Sequence, residues 1–192
     1  MYRKYHTKGI VISSKIEGDS NKRVNIFTEN FGLLNARVQG SRNIHSKLRS
    51  GSQDFSFGDF SLIHGKTGWK VVSSRAEQNF YEVFRNSQTK LKIVNNVLNL
   101  IKKLVSEEEA YTPLFSVVSN FLNFLITAKE QDVALSECLT LLRILHILGF
   151  IRHDPEFSIP ISSSEIKSKD LEAIAPKRSS VIKLINESLK AT

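Results

Sequence analysis

In the first two-fifths of the chain, apolar positions alternate with polar ones or gather into short β-branched runs, each closed by a glycine or a polar cluster. That is the pattern of short strands. Residues 8–16 (Lys-Gly-Ile-Val-Ile-Ser-Ser-Lys-Ile) form the first, and the polar stretch from Glu17 to Arg23 turns the chain. Residues 24–28 (Val-Asn-Ile-Phe-Thr) alternate as a half-buried strand does. A turn from Glu29 to Gly32 follows, with Gly32 available for a positive φ, and a third strand starts at Leu33. The fourth is expected over residues 54–63, where Phe55, Phe57 and Phe60 break into opposite faces around Gly58. A glycine inside a strand pattern marks a bulge or a sharp bend. Residues 64–68 make a hairpin turn into a fifth strand over residues 69–75. Five short strands with glycine-marked bends fit a closed or nearly closed barrel such as the OB-fold, with an open sandwich as the alternative.

From about residue 80 the period becomes helical. Leu91, Val94, Val97, Leu98, Ile101, Leu104 and Val105 repeat at three- and four-residue spacing and make one apolar stripe. Thr112-Pro113 has the form of an N-cap followed by proline at the first helical position, and the helix it opens carries Leu114, Val117, Val118, Phe121, Leu122 and Leu125. Asp132 is a candidate cap for the next helix, which runs through Leu135, Leu139, Leu142, Leu145 and Leu148 and stops at Gly149. Asp154-Pro155 begins a non-helical stretch, residues 161–165 form a loop into another helix, and the last helix spans Arg178 to Leu189. The expected architecture is α+β in two domains. Residues 1–80 form a five-stranded OB-type barrel, and residues 81–192 an all-α helical bundle.

Composition narrows the function classes. The 192 residues are 41% hydrophobic and 24% charged, ordinary values for a soluble protein. No apolar run approaches the ~20 residues needed to cross a bilayer, and the charged N-terminus lacks the apolar stretch of a signal peptide. A cytoplasmic address is expected. Cys138 is the single cysteine, which rules out a disulfide framework or a cysteine-based zinc site within one chain. The phosphate-loop pattern G-x-x-x-x-G-K-S/T does not occur, and neither do G-x-S-x-G, H-E-x-x-H or G-x-G-x-x-G. Five histidines (His6, His45, His64, His146 and His153) are scattered, and His146, on a leucine-rich helix, reads as a satisfied core or edge residue. Glu17, Asp19, Glu29, Asp54 and Asp59 show no tight pairing of the kind a magnesium-dependent nuclease requires. The run Glu107–Glu109 reads as a solvated charge cluster near a helix end. Nothing points to an enzyme.

The net charge of +8 is unevenly spread. Residues 1–80 hold 13 lysines and arginines against 6 acids, whereas residues 81–192 hold 14 against 13. A polyanion partner for the barrel follows, because clustered cations gain free energy by releasing counterions from phosphates. Between Glu29 and Asp54 there is no acid at all, and the window contains Arg37, Arg42, His45, Lys47 and Arg49. Its centre, residues 40–51, joins the third and fourth strands and offers cations, hydroxyls and glycine for phosphate oxygens. Such a loop positions a backbone and reads no bases. Phe31, Phe55, Phe57 and Trp69 are aromatic types able to stack on bases, but the alternation turns most of them inward and they are assigned to the core; Tyr2 and Tyr5 are left undecided.

The order of several motifs resembles the N-terminal domain of the RecO recombination mediators. These are Thr7-Lys-Gly-Ile-Val-Ile12, Phe27-Thr28-Glu29 with Gly32 beyond, Val38-Gln-Gly-Ser-Arg42 and Ser46-Lys-Leu-Arg49. The family shows a GIVL-type strand, an FTxxxG hairpin, a KG-A/S-R segment and an S-x-L-R loop in that order. Residues 139–149, a leucine-rich helix ending in Leu-Gly, and residues 178–189 are similar to later family segments. The resemblance implies a non-catalytic protein that binds single- and double-stranded DNA through its OB barrel and anneals complementary strands. It also implies help in exchanging single-strand-binding protein for the RecA recombinase, which becomes an indirect partner. RecR is an implied partner, and the helical domain would receive the acidic tail of single-strand-binding protein. By position Arg42, Lys47 and Arg49 become the foremost DNA contacts, followed by Lys8 and Arg37. Nucleoid association in the cytoplasm follows, with no membrane role.

The chain departs from the family in having Gln39 where lysine is usual, in being short, and in lacking cysteine in residues 150–157, so zinc is not expected and no other cofactor is implied. Two readings stay open beside the mediator. One is a scaffold whose barrel merely tethers to nucleic acid, and the other is an RNA-binding OB protein.

Overall fold

The computed structural model describes residues 3–43, 45–151 and 163–190. Five strands, β1 (Lys4–Glu17), β2 (Asn21–Thr28), β3 (Gly32–Val38), β4 (Ser56–Gly65) and β5 (Gly68–Asn79), close into a barrel in the order β1-β2-β3-β5-β4. This is the five-stranded OB-type barrel, and the open sandwich is excluded. Neighbours pair antiparallel except β3 and β5, which meet in parallel over only three positions, Ala36–Trp69, Arg37–Lys70 and Val38–Val71. Alternation sends Val11, Val24, Ile26, Leu34, Ala36, Val38, Phe60, Leu62 and Val71 into the barrel core.

Gly58 sits at the bulge the sequence suggests. The β4–β5 register shifts between Phe57 and Gly58, and a Cβ at residue 58 would lie 2.1 Å from the Arg75 carbonyl oxygen. Three expectations about the strands need correction. The first turn is only residues 18–20, so Lys22 and Arg23 belong to β2. β5 runs past Arg75 to Asn79, whose side chain accepts hydrogen bonds from the Tyr81 and Glu82 amides and caps α1 (Phe80–Phe84). Phe55 is outside β4: it has φ 64°, a conformation rare for a bulky residue. Two backbone bonds hold it there, Phe55 N–H to the Val11 carbonyl (2.8 Å) and Phe80 N–H to the Phe55 carbonyl (3.0 Å).

The remaining helices are α2 (Gln88–Leu104), α3 (Thr112–Thr127), α4 (Glu130–Ile147), α5 (Ser168–Ile174) and α6 (Arg178–Lys190). Ser87 caps α2 by accepting from the Lys90 amide at 3.3 Å. Asp132 is not a cap. The helix starts at Glu130, and Asp132 lies inside its first turn, where a carboxylate favours the positive end of the helix dipole. Among the described residues no helix is long and apolar enough to cross a membrane.

The chain divides into two compact units, Met1–Leu91 with Leu98–Thr112, and Lys92–Val97 with Pro113–Thr192. In the first, the run Glu107–Glu109 is not a free charge cluster. β3 meets β5 only over its last three residues, which leaves its beginning with an open edge. Glu107 bridges Leu33 in parallel there, and the Glu108 amide donates to the Leu33 carbonyl at 3.1 Å. Gly32, with φ 64°, makes room: a Cβ there would stand 1.9 Å from the Glu109 carbonyl oxygen. The three carboxylate-bearing side chains remain exposed.

The second unit packs Leu114, Val118, Phe121, Leu122 and Leu125 of α3 with Leu139, Leu142 and Leu145 of α4 among its fully buried residues. Arg143 is also fully buried in α4. Its guanidinium donates to the Glu165 carbonyl (2.8 Å) and to the Asp170 carboxylate (3.3 Å), and Asp170 also accepts from the Lys167 amide (3.2 Å). This polar cluster ties α5 and the residues before it to α4. Removing one partner of a buried ion pair strands the other charge, at a cost of about 3–5 kcal/mol. Asp170→Ala is therefore expected to lower the unfolding free energy, extrapolated from urea titration of the helical circular-dichroism signal, by about 3–5 kcal/mol. Lys183→Ala, which breaks only the exposed pair with Glu187, is expected to change stability by no more than about 0.5 kcal/mol.

Candidate nucleic-acid interface

Cross-strand pairing collects cations that are far apart in the sequence. Lys15 pairs with Arg23 across β1–β2, Arg23 with Arg37 across β2–β3, and Arg37 with Lys70 across β3–β5. Directly paired residues point to the same face. Val24, Ala36, Val38 and Val71 face inward, so their neighbours Arg23, Arg37 and Lys70 face outward. Four cations thus form one row across four strands. At ~4.8 Å per strand the row spans about 14 Å, the run of roughly four phosphates along one strand of a duplex. Beside it lies a polar row, Ser13–Asn25–Asn35, joined by Asn25 donating to Ser13 (3.0 Å) and Asn35 donating to Asn25 (2.9 Å). Lys102 of α2 donates to Ser13 at 3.1 Å and extends the basic surface. Neither row contains an aromatic ring.

One acid lies among these cations. Glu17 accepts from Arg23 at 2.8 and 3.2 Å and pairs with Arg37 Nε at 3.1 Å, and Arg23 also donates to Asn35 at 3.1 Å. The Arg23 hydrogen bond chiefly holds the Glu17 carboxyl below its ordinary value of 4.5; desolvation opposes it, and the charges of Arg23 and Arg37 add to the lowering.

The loop after β3 adds to the row. The Arg42 amide donates to the Ser20 carbonyl (3.2 Å), and its guanidinium to the carbonyls of Asp19 (2.8 Å) and Gly18 (3.4 Å), so the loop is stitched to the β1–β2 turn. Leu48 packs against the barrel core, and the residues on either side of it, Lys47 and Arg49, are exposed. The side chains of Lys47 and Arg49 make no ion pair with a described residue. Lys8 is placed differently, at the β1–β4 seam. It is bonded to Glu77 and paired with Asp59 at 3.4 Å, and the Glu77 hydrogen bond chiefly raises its pKa above 10.5. The structure therefore brings Arg37 and Arg42 to the row and leaves Lys8 neutralised away from it. Sequence reasoning missed Lys15, Arg23 and Lys70. The hairpin around residues 18–20 carries the signal for the first two, while Lys70 joins through a non-local parallel pair.

The aromatic candidates are mostly packed. Phe57 meets Phe80 at 6.1 Å, and Phe31, Tyr5 and Trp69 pack against the barrel core. Among the described residues no group of three or more histidine, cysteine or acidic side chains is arranged to hold a metal. Residues 152–157 of the stretch compared with the family's zinc segment lie outside the described residues, as does Tyr2.

Residues 1–76 match the family model described as "Recombination protein O N terminal". Relatives extend the match past the barrel. The "DNA repair protein RecO" of Alkaliphilus metalliredigens is 27% identical over 133 residues, covering 69% of this chain and 52% of the relative. Its namesake in Acetivibrio thermocellus is 26% identical over 146 residues, 75% of this chain and 57% of the relative. In Synechocystis sp. the identity is 29% over 127 residues, 66% and 46% respectively. Over residues 1–76 the chain is similar to the N-terminal domain of the RecO family, and over two thirds to three quarters of its length it is similar to curated RecO proteins. It spans about half the length of the curated RecO proteins it matches.

Within the barrel, the lowered pKa of Glu17 has a consequence for stability. A carboxyl whose folded pKa is depressed stabilises the fold above its unfolded pKa, and that contribution disappears as pH falls through the folded value. Thermal midpoints measured from neutral pH into acid below 4.5 are expected to fall less steeply for Glu17→Gln than for the native chain. Parallel curves would show that Glu17 adds nothing to the barrel.

Proposed function

We propose that this chain is a RecO-family, DNA-binding recombination mediator whose barrel binds single- and double-stranded DNA through phosphates. The observation that carries this reading is the row Lys15–Arg23–Arg37–Lys70, aligned by strand register on an outer face with no aromatic ring in it. Arg42 joins the row at the β1–β2 turn, and Lys47 and Arg49 add phosphate contacts from the loop after β3. Lys8, its charge matched by two carboxylates, makes no phosphate contact in this reading. Phosphate contacts fix orientation without reading sequence, so affinity depends on charge and salt and little on base order. Neutralising phosphates while leaving base edges free also lowers the repulsion between complementary strands, which is the condition for annealing.

In this reading the protein works at the nucleoid in the cytoplasm without catalysing a covalent step and without a cofactor. It anneals strands and assists RecA loading onto DNA coated by single-strand-binding protein. RecR is its partner, and the helical unit receives the acidic tail of single-strand-binding protein. The relatives' shared name as DNA repair proteins supports this assignment.

Salt titration of DNA binding tests it. Each lost phosphate contact flattens the slope of log affinity against log salt by ~0.7 for a single strand. The triple change Arg42→Ala, Lys47→Ala, Arg49→Ala is expected to flatten it by about 2, equally for unrelated sequences. Adding Arg23→Ala and Lys70→Ala should flatten it further. An unchanged slope would place the contacts elsewhere. Binding without acceleration of annealing would favour a scaffold, and preference for RNA over DNA of equal length would favour an RNA-binding role.

A further inference from the structure

The cation row ends at Lys70, and the residue before it, Trp69, is the centre of an aromatic cluster. Its ring lies 5.4 Å from Tyr5, 5.7 Å from Phe31 and 4.8 Å from His64. Tyr5 and Phe31 back the indole from the barrel side, since both pack against the core. His64, its partner across the β4–β5 hairpin, is exposed. The indole N–H donates to Glu108 at 2.9 Å, which fixes the ring in its plane. Two cations belong to the same end of the barrel: Lys66 is exposed at the hairpin tip, and the Arg3 guanidinium lies 5.3 Å over the Tyr5 ring.

Packing alone accounts for Tyr5 and Phe31. It does not account for an exposed imidazole set edge-on to a half-buried indole, one residue along β5 from the end of the cation row. A flat π-system carrying a phosphate is the ligand such a ledge fits, because bases stack on aromatic rings whatever their identity. The β4–β5 loop is also one of the elements through which OB barrels bind oligonucleotides.

We propose that His64 and Trp69 form a stacking subsite for one unpaired nucleobase, with Lys66 and Arg3 on the adjoining phosphates. It takes the base of a strand that leaves the cation row at Lys70. The proposal rests on the DNA-binding reading above and deepens it. Bases of a duplex are already stacked on their neighbours and cannot enter, so the subsite favours single strands while the row accepts both forms.

Trp69 is the only tryptophan in the chain, so its fluorescence reports on the subsite directly. An oligothymidylate is expected to quench Trp69 in step with binding followed by anisotropy of labelled DNA, whereas a duplex of equal length binds without quenching. His64→Ala should weaken single-strand binding at least about fivefold and leave duplex binding unchanged, and His64→Phe should restore it. The exposed position of His64 keeps these variants folded. Single-strand binding by anisotropy with no quench and no effect of His64→Ala overturns the subsite and leaves the row standing. No binding of either DNA by anisotropy overturns both.

Discussion

Barrel closure rests on three parallel residue pairs between β3 and β5, and the candidate site rests on the same three pairs. Side chains alternate along a strand, so the register that puts Ala36, Val38 and Val71 into the core forces Arg37 and Lys70 together on the outside. A slip of one residue would bury two cations and expose the valines. The row is therefore a consequence of core packing and needs no ligand to assemble it. The shortness of this seam also explains the acidic segment after α2, which supplies backbone hydrogen bonding to the part of β3 that β5 does not reach. An open strand edge is a liability, and here a charged stretch covers it.

Local pattern made most elements legible. The alternation in β2, the positive φ at Gly32, the bulge at Gly58 and the helix ending before Gly149 all follow from spacing and residue type, and the structure has each of them. The failures are tertiary. Phe55 looks like a strand residue, but bonds to Val11 and Phe80 decide its conformation. The Glu107–Glu109 run looks solvated because its pairing partner, Leu33, lies far back in the chain. At the site, Arg23 has the sequence look of a polar turn, but a three-residue turn pairing Glu17 with Asn21 sets Lys15 against Arg23. Lys70 was beyond reach, because no sequence pattern specifies a three-pair parallel contact. Arg42, Lys47 and Arg49 stand out in the acid-free window between Glu29 and Asp54, and the family resemblance ranks them first. The packing of Leu48 and the bonds from Arg42 to the β1–β2 turn now give physical reasons for where they sit.

Four like charges in a row repel one another, and the barrel offsets this with one carboxylate. Glu17 bridges Arg23 and Arg37, and Asn35 takes another donor of Arg23. The guanidiniums are thereby held in place without a ligand, which in the proposed mode reduces the entropy lost on binding a phosphate. A phosphate must then compete with Glu17 for donors, so part of the attraction is forfeited for rigidity. Lys47 and Arg49 represent the opposite arrangement, with no ion pair among the described residues and two long side chains to immobilise. Lys8 shows where the arrangement stops being useful, since Lys8 and Arg75 share Asp59 and Glu77 in a cluster with no net charge to offer.

A mediator that gripped every base would hinder pairing, because an annealing strand must present its Watson–Crick edges. In the proposed mode the central face avoids that conflict, since its outward residues are cations, amides and a hydroxyl. One stacking subsite at the end of the row is compatible with annealing, because it removes a single base from the stack and leaves the others free. It also resolves a difficulty of phosphate-only binding, which by itself cannot distinguish an open strand from a completed duplex. Once pairing reaches the base on Trp69, that base is drawn into the duplex stack and the extra contact is lost. The completed duplex then retains only the salt-sensitive row.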